Sequence, residues 1–193
     1  MHKAIIVMGP PGSGKGTQAE FIANHIGAVW YDTGTKIREH LANDEMFSKE
    51  AEDYKAGRLV DPNEVLRMVL DDVKGIFVSQ KSIVLSSSPR SLTEAFGSGE
   101  GGLMHLLHDT YGIDDILVFH IYIPIEESVK RNVKRGEGRI DDLPEVIKTR
   151  YEDQYVKSVV PTIEAMKFHG YNVIDIYGMP SPEEIFEGIK KYL

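Results

Sequence analysis

Short apolar runs alternate with longer amphipathic segments along most of the chain. A continuous apolar stretch at 4–8 and largely apolar stretches at 82–85, 115–123 and 173–176, with a shorter one at 29–31, predict five strands. Because consecutive positions in these runs are mostly apolar, rather than every second position only, they are typical of strands that are buried on both faces. Helical patterns fill the intervals between them. Strands that alternate with helices predict a parallel sheet covered on both faces, and therefore an α/β fold.

The helices are predicted from apolar periodicity and from their end signals. Asp61 is a plausible N-cap, with Pro62 at the first helical position and Glu64 three residues after the cap. Pro161 falls within a long helical pattern, where a bend is expected. The predicted helices are 15–26, 33–42, 46–56, 62–77, 103–110, 125–135, 144–169 and 182–192.

A glycine-rich loop, GPPGSGKGT, connects the first predicted strand to the first helix. Glycines allow backbone N–H groups to approach phosphate oxygens, the helix N-terminus adds a positive dipole, and Lys15 reaches the terminal phosphates. Gly16 directly follows the lysine, so that the hydroxyl residue, Thr17, comes one position late. The loop predicts nucleotide binding but no particular reaction. Its predicted donor-phosphate ligands are Gly12, Ser13, Gly14, Lys15, Gly16 and Thr17.

Composition restricts the partners and the setting. The 193 residues carry a net charge of -8, which argues against long nucleic acid as a ligand. The chain contains no cysteine, so that disulfides and thiolate zinc sites are excluded, and a reducing cytoplasm is compatible with the sequence. No apolar run approaches the length of a membrane span, and the N-terminus does not have the pattern of a signal peptide.

Five segments together resemble the adenylate kinase family. GPPGSGKGTQ resembles its phosphate loop, in which glycine follows the lysine, and YDTGTKIRE resembles its STGD…R segment. GRLV resembles the family's G-x-L-V, and SSPR followed by Glu94 takes the place of GFPR and a glutamine. KRNVKRGEGRIDD, followed by Arg150, resembles the arginine series around a short lid. The resemblance extends over nearly the whole chain.

The resemblance implies a single P-loop domain with a three-layer α/β/α core and a five-stranded parallel sheet. The core would comprise 1–31, 61–133 and 143–193, with a helical nucleotide-monophosphate-binding insertion at 32–60 and a very short lid at 134–142. It also implies reversible phosphoryl transfer from MgATP to AMP by a cytoplasmic monomer. Small nucleotides would be its partners, and neither nucleic acid nor a membrane would be.

The resemblance also assigns roles to individual residues. Lys15, Arg90, Arg135, Arg139 and Arg150 would stabilise the transferring phosphoryl group, because arginine binds phosphate bidentately. Arg131 would stack on the donor adenine, and the Pro180 loop would contact that ring through a backbone carbonyl. The implied acceptor-site residues are Thr33, Arg38, Arg58, Leu59, Val60, Ser87, Ser88, Pro89, Arg90, Glu94, Arg139 and Arg150. Asp141 and Asp142 would hold the closing arginines or, alternatively, would only cap the helix that begins at Pro144.

Several positions depart from the family pattern. Thr35 and Ser86 stand where the family has aspartates that order water around Mg²⁺, so that Mg²⁺ would rest mainly on the nucleotide phosphates, with no metal ligand assigned in the chain. Asp32 is near enough in sequence to substitute. Ser88 replaces a phenylalanine, which would open space beside the acceptor.

Glu94 replaces the glutamine that reads adenine. An ionised glutamate only accepts hydrogen bonds and would suit guanine better. A helix-surface role for Glu94 is the alternative.

These departures leave two rival interpretations of function. One is the same reaction with a different acceptor, GMP, CMP or UMP, and the other is a nucleotide sensor with low turnover. His105 and His108, three residues apart, suggest surface or packing roles rather than a metal site. Trp30 and Tyr31 are expected in the core rather than as a base-stacking platform.

Overall fold

The five predicted strands form a single parallel sheet. The structure is a computed structural model that describes residues 2–43, 60–79, 81–97, 101–135 and 143–193. The strand order is β2-β3-β1-β4-β5, and every pairing is parallel. The strands are β1 (Ala4–Met8), β2 (Val29–Asp32), β3 (Ile83–Ser86), β4 (Ile116–Tyr122) and β5 (Asn172–Tyr177). The predicted α/β class and five-stranded parallel sheet are therefore confirmed.

The helices follow the predicted order with one addition. They are α1 (Lys15–Ile26), α2 (Thr33–Asn43), α3 (Pro62–Val78), α4 (Leu92–Phe96), α5 (Leu103–Tyr111), α6 (Ile125–Arg135), α7 (Pro144–Thr149), α8 (Val160–Phe168) and α9 (Pro182–Ile189), with short 3₁₀ turns at Ile113–Asp115 and Lys190–Tyr192. Helix α4 was not predicted, because five residues are too few for a periodic pattern. Its local cause is Ser91, whose hydroxyl accepts a hydrogen bond from the N–H of Glu94. The helix predicted at 46–56 lies outside the described residues.

The sheet is buried between two apolar layers. β1 and β3 are buried at every position, as their continuous apolar sequence requires. On one face, side chains such as Ile6 and Leu85 pack with residues of α3, α5 and α8. On the other face, Ile5 and Phe119 pack with residues of α1 and α9. The result is the predicted three-layer α/β/α arrangement.

The long helix predicted at 144–169 consists of three consecutive pieces. Between α7 and α8 the chain forms a π-helix, Arg150–Val159, and the N–H of Val160 donates to the carbonyl of Tyr155, five residues back. Pro161 lacks an N–H, and in a regular α-helix its ring would clash with the carbonyl four residues back. A wider hydrogen-bond pattern just before the proline relieves that clash. The predicted bend at Pro161 stays a prediction.

The carboxyl ends of the strands meet at one edge of the sheet. β1 leads into the glycine loop, β2 ends at Asp32 and β3 ends at Ser86. Since β1 lies between β3 and β4, the chain order reverses beside it, and ligands of open α/β sheets bind at such an edge. None of the helices in the described ranges is long and apolar enough to cross a membrane.

Candidate active site

A cavity lies at this edge of the sheet, next to the glycine loop. It is lined by the end of β1 and its loop, by β2 and α2, by the segment after β3, by α6 and by the π-helix. The lining residues are Met8, Gly9, Pro11, Gly12, Lys15, Gly16, Asp32, Gly34, Arg38, Ser87, Ser88, Pro89, Arg90, Asn132, Arg150, Gln154, Tyr155 and Val159.

The glycine loop is held in shape by β4 and α6. A Cβ on Gly9 would lie 2.2 Å from the carbonyl oxygen of Ile121, and one on Gly12 would lie 2.6 Å from the Asn132 amide nitrogen. Both glycines have positive φ, 151° and 72°. Ser128 Oγ donates to the carbonyl of Pro11 at 2.7 Å. The loop therefore needs glycine at these two positions for close packing as well as for backbone conformation.

Four basic side chains from four separate segments line the cavity. Lys15 begins α1, and its amine donates to the Pro10 carbonyl at 3.1 Å. Arg38 lies on α2 and donates to Thr35 Oγ1 at 2.8 Å. Arg90 follows β3 and donates through Nε to the Ser87 carbonyl at 2.7 Å. The fourth, Arg150, begins the π-helix. In a protein of net charge -8, this concentration of positive charge creates a local anion site.

The Asp32 carboxylate lies in the same cavity, at the end of β2. Its Oδ2 accepts from Thr35 N at 3.2 Å and from Thr35 Oγ1 at 2.6 Å, and its Oδ1 accepts from Ser86 Oγ at 3.0 Å. Burial alone would raise its pKa. The hydrogen bonds from Thr35 and Ser86 and the charges of Arg38 and Lys15 outweigh burial and hold the pKa of Asp32 below its usual range. Asp32 is therefore an anion among cations.

Glu94 is buried directly behind the segment after β3. Its Oε2 accepts from Ser88 Oγ at 3.1 Å and from the Arg90 N–H at 2.9 Å. Its other oxygen is buried without a hydrogen-bond partner in the described part of the chain. Burial raises the pKa of Glu94 against the opposing effects of the Arg90 charge and these hydrogen bonds. The predicted alternative of a helix-surface glutamate is wrong, because only 1% of Glu94 is exposed.

The π-helix brings residues to the cavity that α-helical spacing would separate. Arg150, Gln154, Tyr155 and Val159 all line it. Of the other three, only Gln154, four positions on, would share the face of Arg150 in an α-helix, whereas the wider π-helical turn places residues four, five and nine positions apart on one side. Tyr155 is further fixed by His120, whose Nε2 lies 2.8 Å from its hydroxyl oxygen.

Of the predicted site residues that the structure describes, nine line the cavity and the others do not. The nine are Gly12, Lys15, Gly16, Arg38, Ser87, Ser88, Pro89, Arg90 and Arg150. Gly14 is the N-cap of α1, Thr17 is exposed, and Ser13 and Thr33 are buried with hydroxyls that have no partner among the described residues. Val60 is buried and lines a smaller apolar pocket with Ile37, Leu41 and Met68. Arg58, Leu59, Arg139, Asp141, Asp142 and the side chain of Arg135 lie outside the described part of the structure.

Arg131 contacts the loop that leads to Pro180. Arg131 donates through Nη1 to the Gly178 carbonyl at 2.9 Å, and Glu127 accepts from its Nε at 2.7 Å. Pro180 lies two residues after Gly178. These contacts orient the guanidinium beside the loop.

The structure also shows the environments of Trp30, Tyr31, His105 and His108. Tyr31 is buried, as predicted, but the prediction that Trp30 lies in the core is wrong, because 40% of this side chain is exposed on the edge strand β2. His105 and His108 pack against Phe96 and Tyr171, which confirms packing roles. Among the residues that the structure describes, no group of three or more His, Cys, Asp or Glu side chains could hold a metal ion.

Sequence reasoning missed Asn132, Gln154, Tyr155 and Val159. Asn132 lies one position from Arg131, and its contact with Gly12 is visible only in three dimensions. Tyr155 and Val159 share a side with Arg150 only because of the π-helix, for which the sequence has no periodic pattern.

Comparison with known proteins identifies the family of this chain. A family profile described as an AAA domain matches residues 8–148. Adenylate kinase of Parabacteroides distasonis is 33% identical over 190 residues, which cover 97% of this chain and 95% of that protein. Adenylate kinase isoenzyme 1 of Gallus gallus is 32% identical over 195 residues (100% and 94%), and adenylate kinase of Thermus thermophilus is 28% identical over 194 residues (99% and 97%). With this similarity over its whole length, the chain belongs to the adenylate kinase family.

Proposed function

We propose that the protein is a nucleoside monophosphate kinase that reversibly transfers a phosphoryl group from MgATP to AMP, giving two ADP. The observation that carries this proposal is the convergence of Lys15, Arg38, Arg90 and Arg150 with the glycine loop on one cavity. The curated relatives are named adenylate kinases, which supports the same reaction.

Phosphoryl transfer suits this arrangement because the reaction concentrates negative charge at one place. Catalysis then consists mostly of positioning the two nucleotides and stabilising that charge with fixed cations. We assign Lys15 and the loop N–H groups to the donor phosphates, and Arg38 and Arg90 to the acceptor phosphate. We assign Arg150, which lines the same cavity, to the group in transit. No general base is needed when positioning does most of the work.

The remaining roles are part of the same proposal. Donor binding is assigned to Gly12, Ser13, Gly14, Gly16, Thr17, Arg131, Arg135 and Pro180. Acceptor binding is assigned to Thr33, Arg58, Leu59, Val60, Ser87, Ser88, Pro89, Glu94 and Arg139. Residues 32–60 would form the acceptor-binding insertion and residues 134–142 the lid. Arg131 is supported most directly, by its hydrogen bond to the loop that carries Pro180.

Mg²⁺ is the metal that we expect with the donor nucleotide. When bound, it would offset the negative charge of the donor phosphates. The donor set fits, since Asp32 presents the hard oxygen that Mg²⁺ prefers. The chain's own part is to hold that oxygen in place, through Thr35 and Ser86.

We propose AMP rather than another nucleotide as the acceptor. The preference for guanine inferred from Glu94 assumed an ionised carboxylate, whereas burial raises the pKa of Glu94. A protonated carboxyl offers one donor and one acceptor, as a glutamine amide does. Glu94 therefore gives no reason to prefer guanine over adenine, and it lies behind Ser88 rather than among the residues that line the cavity. The names of the relatives do not favour a different acceptor or a low-turnover sensor.

A monomer in the cytoplasm is the proposed setting. The absence of cysteine supports a reducing compartment. Small nucleotides are the expected partners, and the acidic net charge argues against nucleic acid.

A coupled assay of ATP with AMP, GMP, CMP and UMP tests the proposal, with Arg90→Ala as the decisive variant. We expect AMP to be the best acceptor and Arg90→Ala to lower kcat/KM about 10²–10³-fold, as the loss of one transition-state donor does. Arg67→Ala is the matched control, because Arg67 is an exposed arginine on α3 that pairs with Glu64. Near-normal kinetics for Arg90→Ala would contradict the assigned role, and nucleotide binding without turnover in the wild type would contradict the kinase itself.

A further inference from the structure

Asp32 introduces a negative charge into a cavity suited to phosphates. Among the described residues that line this cavity, it is the only carboxylate, beside the basic residues Lys15, Arg38, Arg90 and Arg150. A carboxylate repels phosphate at short range. Its nearest recorded cation contact is Arg38 Nη2 at 3.9 Å, which is too long for a hydrogen bond. A carboxylate at this position therefore requires a favourable interaction that offsets the repulsion between it and the phosphates.

The carboxylate is held from two sides, and part of its hydrogen-bonding capacity stays available. Asp32 and Ser86 are partners in the register of β2 and β3, so that the Ser86 hydroxyl reaches Oδ1 directly. Thr35, one helical turn on, supplies two donors to Oδ2. A carboxylate oxygen can accept about two hydrogen bonds, so that Oδ1 keeps one acceptor position among the recorded contacts. One quarter of the Asp32 side chain is exposed.

Helix capping alone does not account for this residue. The bond from Thr35 N to Oδ2 is an ordinary N-cap interaction for α2, which begins at Thr33. Asn or Ser would cap a helix about as well without bringing a charge into the cavity. The hydrogen bond from Ser86 Oγ to Oδ1 is also not part of the helix cap, which involves Oδ2.

We propose that Asp32 anchors the divalent cation that accompanies the nucleotide phosphates, either directly or through the cation's water shell, and that Thr35 and Ser86 position its carboxylate for this task. A divalent cation turns the repulsion between the carboxylate and the phosphates into attraction, since it binds both. The cavity's charges then become complementary only when the nucleotide arrives with its metal. This inference rests on the proposed kinase function and assigns the metal-supporting role to the end of β2.

The protein contains its own reporter for this site. Trp30 is the only tryptophan in the chain, and its indole N–H donates to Ser86 Oγ at 3.0 Å. The indole is thus one hydrogen bond away from the hydroxyl that holds Asp32. Fluorescence of Trp30 can therefore follow binding without any turnover.

The test measures the affinity of a non-hydrolysable ATP analogue with and without Mg²⁺, by Trp30 fluorescence and by calorimetry. Wild type is compared with Asp32→Asn, which keeps the cap and the shape but removes the charge. Asp61→Asn is the matched control, because Asp61 caps α3 by accepting from the N–H of Asn63 and does not line the cavity. Asp32→Ser, which also keeps a capping oxygen, replaces Asp32→Asn if that variant does not fold.

The expected result is two changes of opposite sign. Without metal, Asp32→Asn binds the analogue more tightly than wild type, because the repulsive charge is gone. With Mg²⁺, the gain in affinity that the metal brings to wild type is reduced about tenfold or more, the size of effect known for residues that support a metal indirectly. Asp61→Asn follows wild type in both series.

Three outcomes would overturn the inference. Asp32→Asn could match wild type in both series, it could weaken binding equally with and without metal, or wild type could gain no affinity from Mg²⁺. The coupled assay on wild type is run in parallel. If wild type turns over ATP and AMP but the affinity of Asp32→Asn for the analogue matches that of wild type with and without Mg²⁺, only the metal role is refuted. If wild type shows no turnover but the expected effect of Asp32→Asn on the Mg²⁺-dependent affinity is observed, only the kinase function is refuted.

Discussion

Asp32 and Glu94 are two carboxyl groups at the same edge of the sheet, yet their environments favour opposite charge states. Asp32 accepts three hydrogen bonds and lies near Arg38 and Lys15, and its pKa is lowered. Glu94 accepts two, is almost completely buried, and its pKa is raised. Burial acts on both in the same direction. The comparison teaches that the number of donors and the remaining solvent access decide which carboxyl group stays ionised.

Removing the Asp32 side chain should have the largest effect on stability. Asp32→Ala loses the cap of α2 and leaves the Ser86 and Thr35 hydroxyls without an acceptor, and we expect a loss of about 2–3 kcal/mol in the free energy of unfolding at pH 7. Because the pKa of Asp32 is lowered in the folded protein, its ionisation stabilises the fold above pH 3.8, and this contribution is lost as the pH falls through the folded-state pKa.

The measurement is urea denaturation of wild type and Asp32→Ala from pH 7 down to pH 3. The difference in the free energy of unfolding between the two proteins should become smaller as the pH falls. Asp61→Ala, which removes an exposed cap, should cost about 1 kcal/mol. A difference for Asp32→Ala that widens in acid would contradict a lowered pKa.

Two matched serine substitutions compare the carboxyl groups directly. Ser86→Ala removes a donor to the Asp32 carboxylate, whose pKa is lowered, and should cost about 1.5–3 kcal/mol. Ser88→Ala removes a donor to the Glu94 carboxyl, whose pKa is raised by burial, and should cost about 0.5–1.5 kcal/mol. Since Ser86 also accepts from Trp30, both substitutions should be repeated in a Trp30→Phe background. Equal costs in that background would mean that Asp32 and Glu94 carry the same charge at neutral pH.

Replacing Glu94 should change the free energy of unfolding least, and it should raise this free energy, whereas replacing Asp32 lowers it. Glu94→Gln keeps a donor and an acceptor but cannot ionise. Because the pKa of Glu94 is raised in the folded protein, wild type loses stability as the pH rises above the usual value of 4.5 and through the folded-state pKa. We expect the variant to be more stable at pH 8 by about 1 kcal/mol or less and equal to wild type near pH 4. A variant that is less stable at pH 8 would show that the carboxylate is ionised in the fold.

Much of the fold could be predicted because its patterns are local. The buried strand at Ala4–Met8 and the helices Lys15–Ile26 and Ile125–Arg135 were predicted with the bounds that the structure has. The glycine loop likewise depends on consecutive residues, so that Lys15 could be recognised from sequence. Helix α4 and the π-helix could not be predicted, because a five-residue helix has no usable period and the π-helix depends on tertiary packing and on Pro161.

The sequence by itself determined the α/β class, the phosphate loop and the basic residues around it, because each follows from residues close together in the chain or from the family resemblance. Only the tertiary structure decided the charge of the cavity wall. The register of β2 and β3 brings Ser86 to Asp32 across 54 positions of the chain, and burial isolates Glu94 behind Ser88. Ionisation depends on solvent and on neighbours in space, and neither can be read from the order of residues.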